Sequence, residues 1–273
     1  MIGNLIKGVG SVVKTVAGGA INRTISRLTG AGIRNDSRIV NARAKWSGRD
    51  SKKDWRVRLT IPSESDALRN YFFSGNPVLD PLKDIGGIFW PLTPAIVIQH
   101  SAAYNPLAQT HSNYPFQAYQ NSQVDSLNII GEFPVQNQDD ALHWVATIKF
   151  LRTVTKMFFG TDDDFKGNPP PILHMSGYGT HMFERVPVII NSFNVELRPG
   201  IDYISTQQSQ VYRSNLSELA DFDYQSQDAT WAPTLSNISV LVTPIYSRES
   251  IKNFNLKDFA SGKLDRDQGI GFI

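Results

Sequence analysis

Between residues 56 and 245 the chain holds a single segment of helical periodicity among six short runs of strand character, and this ratio constrains the fold more than any other feature. One helix cannot bury its own apolar face, so most of the core has to come from sheets against which it lies. Residues 56–61 alternate polar with apolar side chains and stop at Pro62. Further strands are expected at 95–100, 126–133, 171–175, 187–197 and 236–245. Several of these begin or end at proline, which suits strand termini and edges because proline cannot donate to a ladder. The helix is expected over 139–159. Asn137 is placed to cap it with Asp140 three residues on, Asp139 suits the positive end of its dipole, and Lys156 and Gly160 mark its end. Ala141, Val145, Ile148, Thr155 and Phe158 fall near one face, and Leu142, Trp144, Leu151 and Phe159 widen it, so the helix is expected to be covered on more than one side. The packing residues are Leu142, Val145, Ile148, Leu151 and Phe158. The fold class is therefore α+β, mostly antiparallel β, with one flanking helix.

Residues 63–89, 101–124, 160–170 and 206–235 lack clear periodicity and read as long irregular loops, which in a compact domain tend to be functional or to contact partners. Tyr104, Tyr114, Phe116, Tyr119, Tyr212, Tyr224 and Trp231 lie among amides in these segments. That composition suits a protein interface, and it equally suits aromatic plugs that hold loops against the body. Tyr114, Phe116 and Tyr119, together with Tyr178 in the turn Gly177-Tyr178-Gly179, are the loop interface candidates.

The chain's net charge of +2 conceals an uneven distribution. Residues 1–58 hold 13 basic and 3 acidic side chains, a net of +10, whereas the remainder holds 14 basic and 22 acidic, a net of −8. Such asymmetry points to different partners for the two parts, or to one part meeting the other in an assembly. Leu5, Ile6, Val9, Val12, Val13 and Val16 form an amphipathic stripe with Lys7 and Lys14 off it and Arg23 and Arg27 following. Five glycines in residues 3–19 weaken this helix, so it should order only on docking. Lys14 interrupts the apolar run against a secretory signal, and no stretch is long enough to span a bilayer. A presequence or a membrane-surface helix competes with a terminal arm packed on a neighbouring subunit, and the arm is the reading adopted. The domains are thus a basic arm at 1–54, a body at 55–262 and a tail at 263–273.

Catalytic and ligand-binding patterns are sparse. With no cysteine there is no disulfide, thiolate site or cysteine nucleophile. The five histidines show no metal-ligand spacing; His174 and His181 flank the 177–179 turn and could converge, but two ligands leave a site incomplete. Asp162, Asp163 and Asp164 with Gly167 begin like a calcium loop, which then fails at Lys166 and Leu173. Ser11 and Lys14 have serine–lysine spacing without companion motifs. No phosphate loop, dinucleotide fingerprint or nucleophile elbow occurs. Arg34 to Arg58 with Trp46 and Trp55 is basic and aromatic, but it belongs to no nucleic-acid motif and the acidic body would repel phosphate. No catalytic residue, cofactor or metal is therefore assigned.

Several phrases occur in a telling order: residues 113–123 (NYPFQAYQNSQ), 129–134 (IIGEFP), a helix ending in 156–160 (KMFFG), 169–173 (PPPIL), 176–179 (SGYG), 186–193 (VPVIINSF), 240–248 (VLVTPIYSR) and 254–262 ending FASG. This order resembles the tail-tube-like baseplate proteins of contractile-tailed bacteriophages, in the tube initiator or tube cap class, over residues 55–262. The resemblance implies a two-sheet barrel or sandwich with a flanking helix. Six copies would join sheet edges into a ring around a DNA channel at the junction of hub and tail tube. It implies a non-enzymatic virion protein, assembled in the host cytoplasm, that starts or caps the tube and contacts hub, tube, sheath or wedge proteins, with DNA passing without specific binding. The basic arm departs from a plain tube subunit and suggests a junction protein whose arm docks on an adjacent ring or the sheath layer. A connector threaded between tube and sheath is the nearest alternative. A membrane-docking protein using the amphipathic segment is the alternative of another class.

Overall fold

A computed structural model describes residues 55–160, 164–206, 230–265 and 271–273. The basic arm with its stripe, Ser11, Trp46, Asp162, Asp163, Tyr212 and Tyr224 lie outside the described residues. The body is built on one seven-stranded antiparallel sheet in the order β2-β1-β7-β8-β11-β6-β3. Its strands are β1 Arg58–Thr60, β2 Gly87–Phe89, β3 Ala95–Val97, β6 Leu127–Pro134, β7 Leu173–Gly177, β8 Phe183–Leu197 and β11 Leu235–Pro244. Two ribbons accompany it: β4 His100–Leu107 with β5 Phe116–Val124, and β9 Tyr203–Ser205 with β10 Trp231–Pro233. The helices are α1 Asp66–Phe73, α2 Gln138–Val154, α3 Arg248–Lys252 and α4 Leu256–Ala260. The α+β, mostly antiparallel class is therefore the observed one. All six expected strands are present with ends shifted by a few residues.

Instead of two separate sheets, one sheet curls so that its edges approach. Five residues, from Trp90 to Pro94, join β2 at one edge to β3 at the other, which limits the gap to about 20 Å for an extended chain. Across this closure Trp90 lies on Gly131 of β6 and the Tyr178 hydroxyl donates to Pro94 O at 3.0 Å, while the Trp90 amide donates to Val57 O at 2.9 Å and so extends the β1–β2 ladder by one rung. Inside sit Val57, Leu59, Ile88, Trp90, Ile129, Phe133, Met175, Val188, Ile238, Val240 and Val242, all buried. Strand β8 turns the corner near Arg185, whose φ of 54° accompanies the register shift against β7. Its amide is held there by the Ser176 hydroxyl at 3.1 Å.

Helix α2 begins as its sequence requires. The Asn137 side chain accepts from Asp140 N at 3.0 Å, and the Asp140 carboxylate accepts in return from Gln136 N at 3.2 Å. It stops at Val154, five residues before the expected end. Thr155 turns its hydroxyl back to Leu151 O, while the Phe158 amide and carbonyl bond Asn168 O and Gly167 N instead of continuing the helix. Phe158 thus lies beyond the helix, buried against Tyr71, Phe72 and Phe165. Phe159, expected on the apolar face, is 84% exposed. Of the other packing residues, Ile148 and Leu151 are buried, while Leu142 and Val145 lie at the margins of the buried face. Its centre includes His143, Thr147 and Phe150. Trp144 ties the helix to the sheet by donating from Nε1 to the buried Ser236 hydroxyl at 2.8 Å.

Two segments read as irregular are ordered elements. Residues 63–89 contain α1, a 3₁₀ turn at Asp80–Leu82 and β2; residues 101–124 lie in the β4–β5 ribbon. The described part of 263–273 is anchored on the body. Leu264 is buried, Phe272 stacks on Tyr246 at 4.5 Å, and Ile273 N donates to the Tyr246 hydroxyl at 3.0 Å.

His174 on β7 is buried beside its cross-strand partner Pro187, and burial lowers its pKa from the ordinary 6.5. A histidine held neutral in the fold but protonated when released makes the unfolded state bind more protons below pH 6.5. Stability therefore falls as pH drops from 6.5 towards the lowered folded value. Urea midpoints measured at pH 7.5 and 5.5 should show this loss in the intact chain and a smaller one in His174→Gln; equal losses would reject the assignment.

Candidate assembly surfaces

The strands β8, β11, β6 and β3 have two contrasting faces because side chains alternate along each of them. One face carries Leu127, Ile129, Phe133, Ser236, Ile238, Val240 and Val242, all buried in the core. The other is uncovered among the described residues, and the register arranges it in rows. Ala95, Ile130, Ser239 and Asn194 form one row; Val97, Asn128, Leu241 and Ser192 a second; Glu132, Asn237 and Glu196 a third. Asn237 Nδ2 donates to Glu196 Oε2 at 3.1 Å, and Thr243 receives Asn191 Nδ2 at 2.7 Å and lies 2.9 Å from the Ser126 hydroxyl. The rows hold amides, hydroxyls, a few apolar side chains and two carboxylates, with no Lys or Arg. A surface of this kind offers a phosphate no cation, only neutral hydrogen-bond donors.

The sheet also has unpaired backbone edges. Strand β7 accompanies β8 only as far as Val188, so along residues 189–197 β8 pairs with β11 alone among the described residues. At the other side β3 is the end strand, and it leads directly into β4. Strands β3–β4 and β5–β6 are two arms of one long hairpin: Ala95 pairs with Ile130, Asp125 N donates to Gln99 O at 2.9 Å, and Leu107 pairs with Phe116. Its distal half contributes no residue to either hydrophobic core cluster.

The hairpin carries three of the four loop interface candidates. Tyr114, Phe116 and Tyr119 are 84%, 62% and 58% exposed, and Tyr119 meets Tyr104 edge to face at 5.7 Å. Tyr178 belongs elsewhere. It packs against the core with its amide donating to Trp55 O and its hydroxyl to Pro94 O, so it helps to close the body. One sequence signal marks the hairpin: residues 85–124 contain no Asp, Glu, Lys or Arg, although 19% of the chain is charged.

The candidate metal residues have separate surroundings. His174 is buried in β7, whereas His181 is exposed with Nδ1 2.8 Å from Asp265 Oδ2. No group of three or more His, Asp or Glu side chains suited to a metal ion occurs among the described residues. No helix among them is long and apolar enough to cross a membrane. No protein-family model matches the chain, and a search of the curated proteins finds no match.

Proposed function

We propose that this protein is a structural, non-enzymatic ring component of a contractile phage tail baseplate, starting or capping the tail tube around the DNA channel. The observation that carries the reading is the three uncovered rows across β8-β11-β6-β3, which hold no Lys or Arg and are backed by a continuous core. A conduit wall has to be rigid behind and non-adhesive in front. Buried aliphatic residues supply the first property; the absence of Lys and Arg from the rows, with the negative charge of Glu132 and Glu196, supplies the second by withholding the ion pairs that would hold DNA in transit. Six copies turned about an axis along the strands would place these faces inward. Helix α2, on the opposite side of the sheet, would then be left for sheath or wedge proteins. The basic arm, with Lys7, Lys14, Arg23 and Arg27, would hold a neighbouring ring or layer.

Native mass spectrometry and negative-stain microscopy of the full chain, alone and with tube and baseplate proteins, test the reading. The expected result is a hexameric ring with a central opening. A protein that stays monomeric under all these conditions would overturn it.

A further inference from the structure

Resting on the ring reading, we propose that the outer strand of the long hairpin, β3–β4, adds to the unpaired stretch of β8, residues 189–197, in a second copy. The two edges suit each other. Residues 95–107 run extended with their outward side unpaired among the described residues, and the nine-residue β8 stretch can pair along most of these thirteen. The remaining sheet end, β2, is three residues long and fully buried, so it offers no comparable edge.

Direction also agrees. Strands β8, β11, β6 and β3 are successively antiparallel, so β3 runs opposite to β8. Rotation about an axis along the strands carries β8 into the next copy without reversing it, and it meets β3–β4 antiparallel. Because the contact joins two different edges, it repeats from copy to copy and can close into a ring.

Energetics favour a second copy as the occupant. A two-stranded ribbon without a covering layer is marginal in water. This one leaves Tyr104, Leu107, Phe116 and Tyr119 more than half exposed. Natural edges are commonly guarded by lysine or other charges that discourage pairing, yet residues 85–124 carry none. An uncharged hairpin also brings no like charges together when identical copies converge. Strand addition would satisfy the open backbone groups of both edges and cover the aromatic side chains in the same step.

Introduced thiols are the chain's only ones, since it has no cysteine. Val97→Cys and Ala102→Cys on the hairpin, and Ser192→Cys and Asn194→Cys on β8, are made as separate single variants. Each hairpin variant is mixed with each β8 variant, assembled and mildly oxidised. At least one combination should give disulfide-linked dimers several-fold above a control mixing Ala102→Cys with Lys257→Cys on α4. Rings that form without linkage above the control overturn this contact and leave the ring reading standing; absence of rings from the intact chain overturns both. As a second measurement, residues 101–123 are replaced by a short glycine turn. A folded chain of nearly unchanged melting temperature that no longer forms rings is expected, and rings of undiminished subunit number would overturn the proposal.

Discussion

Gly87→Ala should destabilise the fold by about 3 kcal/mol or more, lowering the melting temperature by roughly 6–12 °C for a domain of this size. An added Cβ at Gly87 would lie 2.1 Å from Leu59 O and 2.7 Å from Thr60 Cα, both backbone atoms of the paired β1 strand. Backbone in a ladder cannot step aside as a side-chain tip can, so the β1–β2 pairing has to open. Gly131→Ala makes an informative contrast. Its Cβ would lie 2.1 Å from Trp90 Cδ1, a side chain that is large and buried but replaceable. The damage of Gly131→Ala should therefore be partly relieved in combination with Trp90→Leu, whereas Trp90→Leu should leave the damage of Gly87→Ala unrelieved. Denaturant unfolding of the two single glycine variants, of Trp90→Leu alone and of the two double variants checks this. A Gly87→Ala protein as stable as the parent would show that β1 and β2 do not approach as described.

If the protein forms the proposed ring, replacing Glu132 and Glu196 together by lysine should convert it from one that retains little DNA into a DNA-binding one. Each change converts a negative charge to a positive one in every subunit, on rows that otherwise hold only uncharged side chains. Contacts to phosphate release counterions, so the acquired binding should be steeply salt-dependent, falling on the order of 10³-fold between 50 and 200 mM salt if six or more phosphates are engaged. Duplex retention measured at both salt concentrations is the readout. The intact ring should retain little at either, and equal weak retention by parent and variant would remove this face from consideration as a channel wall. Both glutamates lie on the exposed side of the sheet, so the fold should tolerate the change.

Strand positions were largely legible because proline and alternation are local signals. The cap of α2 was legible for the same reason: Asn137 and Asp140 interact within one turn. Its far end was not. Phe158 has the spacing of a helical residue, but its backbone finds Gly167 and Asn168 and its ring finds Tyr71, Phe72 and Phe165, contacts invisible to periodicity. The hairpin at 100–124 is not legible in the sequence because both its faces are exposed. Without a buried side it has no reason to alternate, so amides and aromatic residues follow one another like a loop. Its missing charges were the available signal. Tyr178, an aromatic in a glycine turn, has a packing role no local pattern shows, since its hydroxyl reaches a residue 84 positions away.

By itself the sequence determined the antiparallel class, the start of α2 and the division of charge at residue 58, since each depends on residues close in the chain. Only tertiary structure decided that a single sheet curls on itself, that the open rows across β8, β11, β6 and β3 hold no Lys or Arg, and that one side of β8 along 189–197 and the outer side of β3–β4 are unpaired among the described residues. Those properties depend on register and on the length of neighbouring strands. Where β7 ends fixes how much of β8 lies open, and no local pattern in β8 records it.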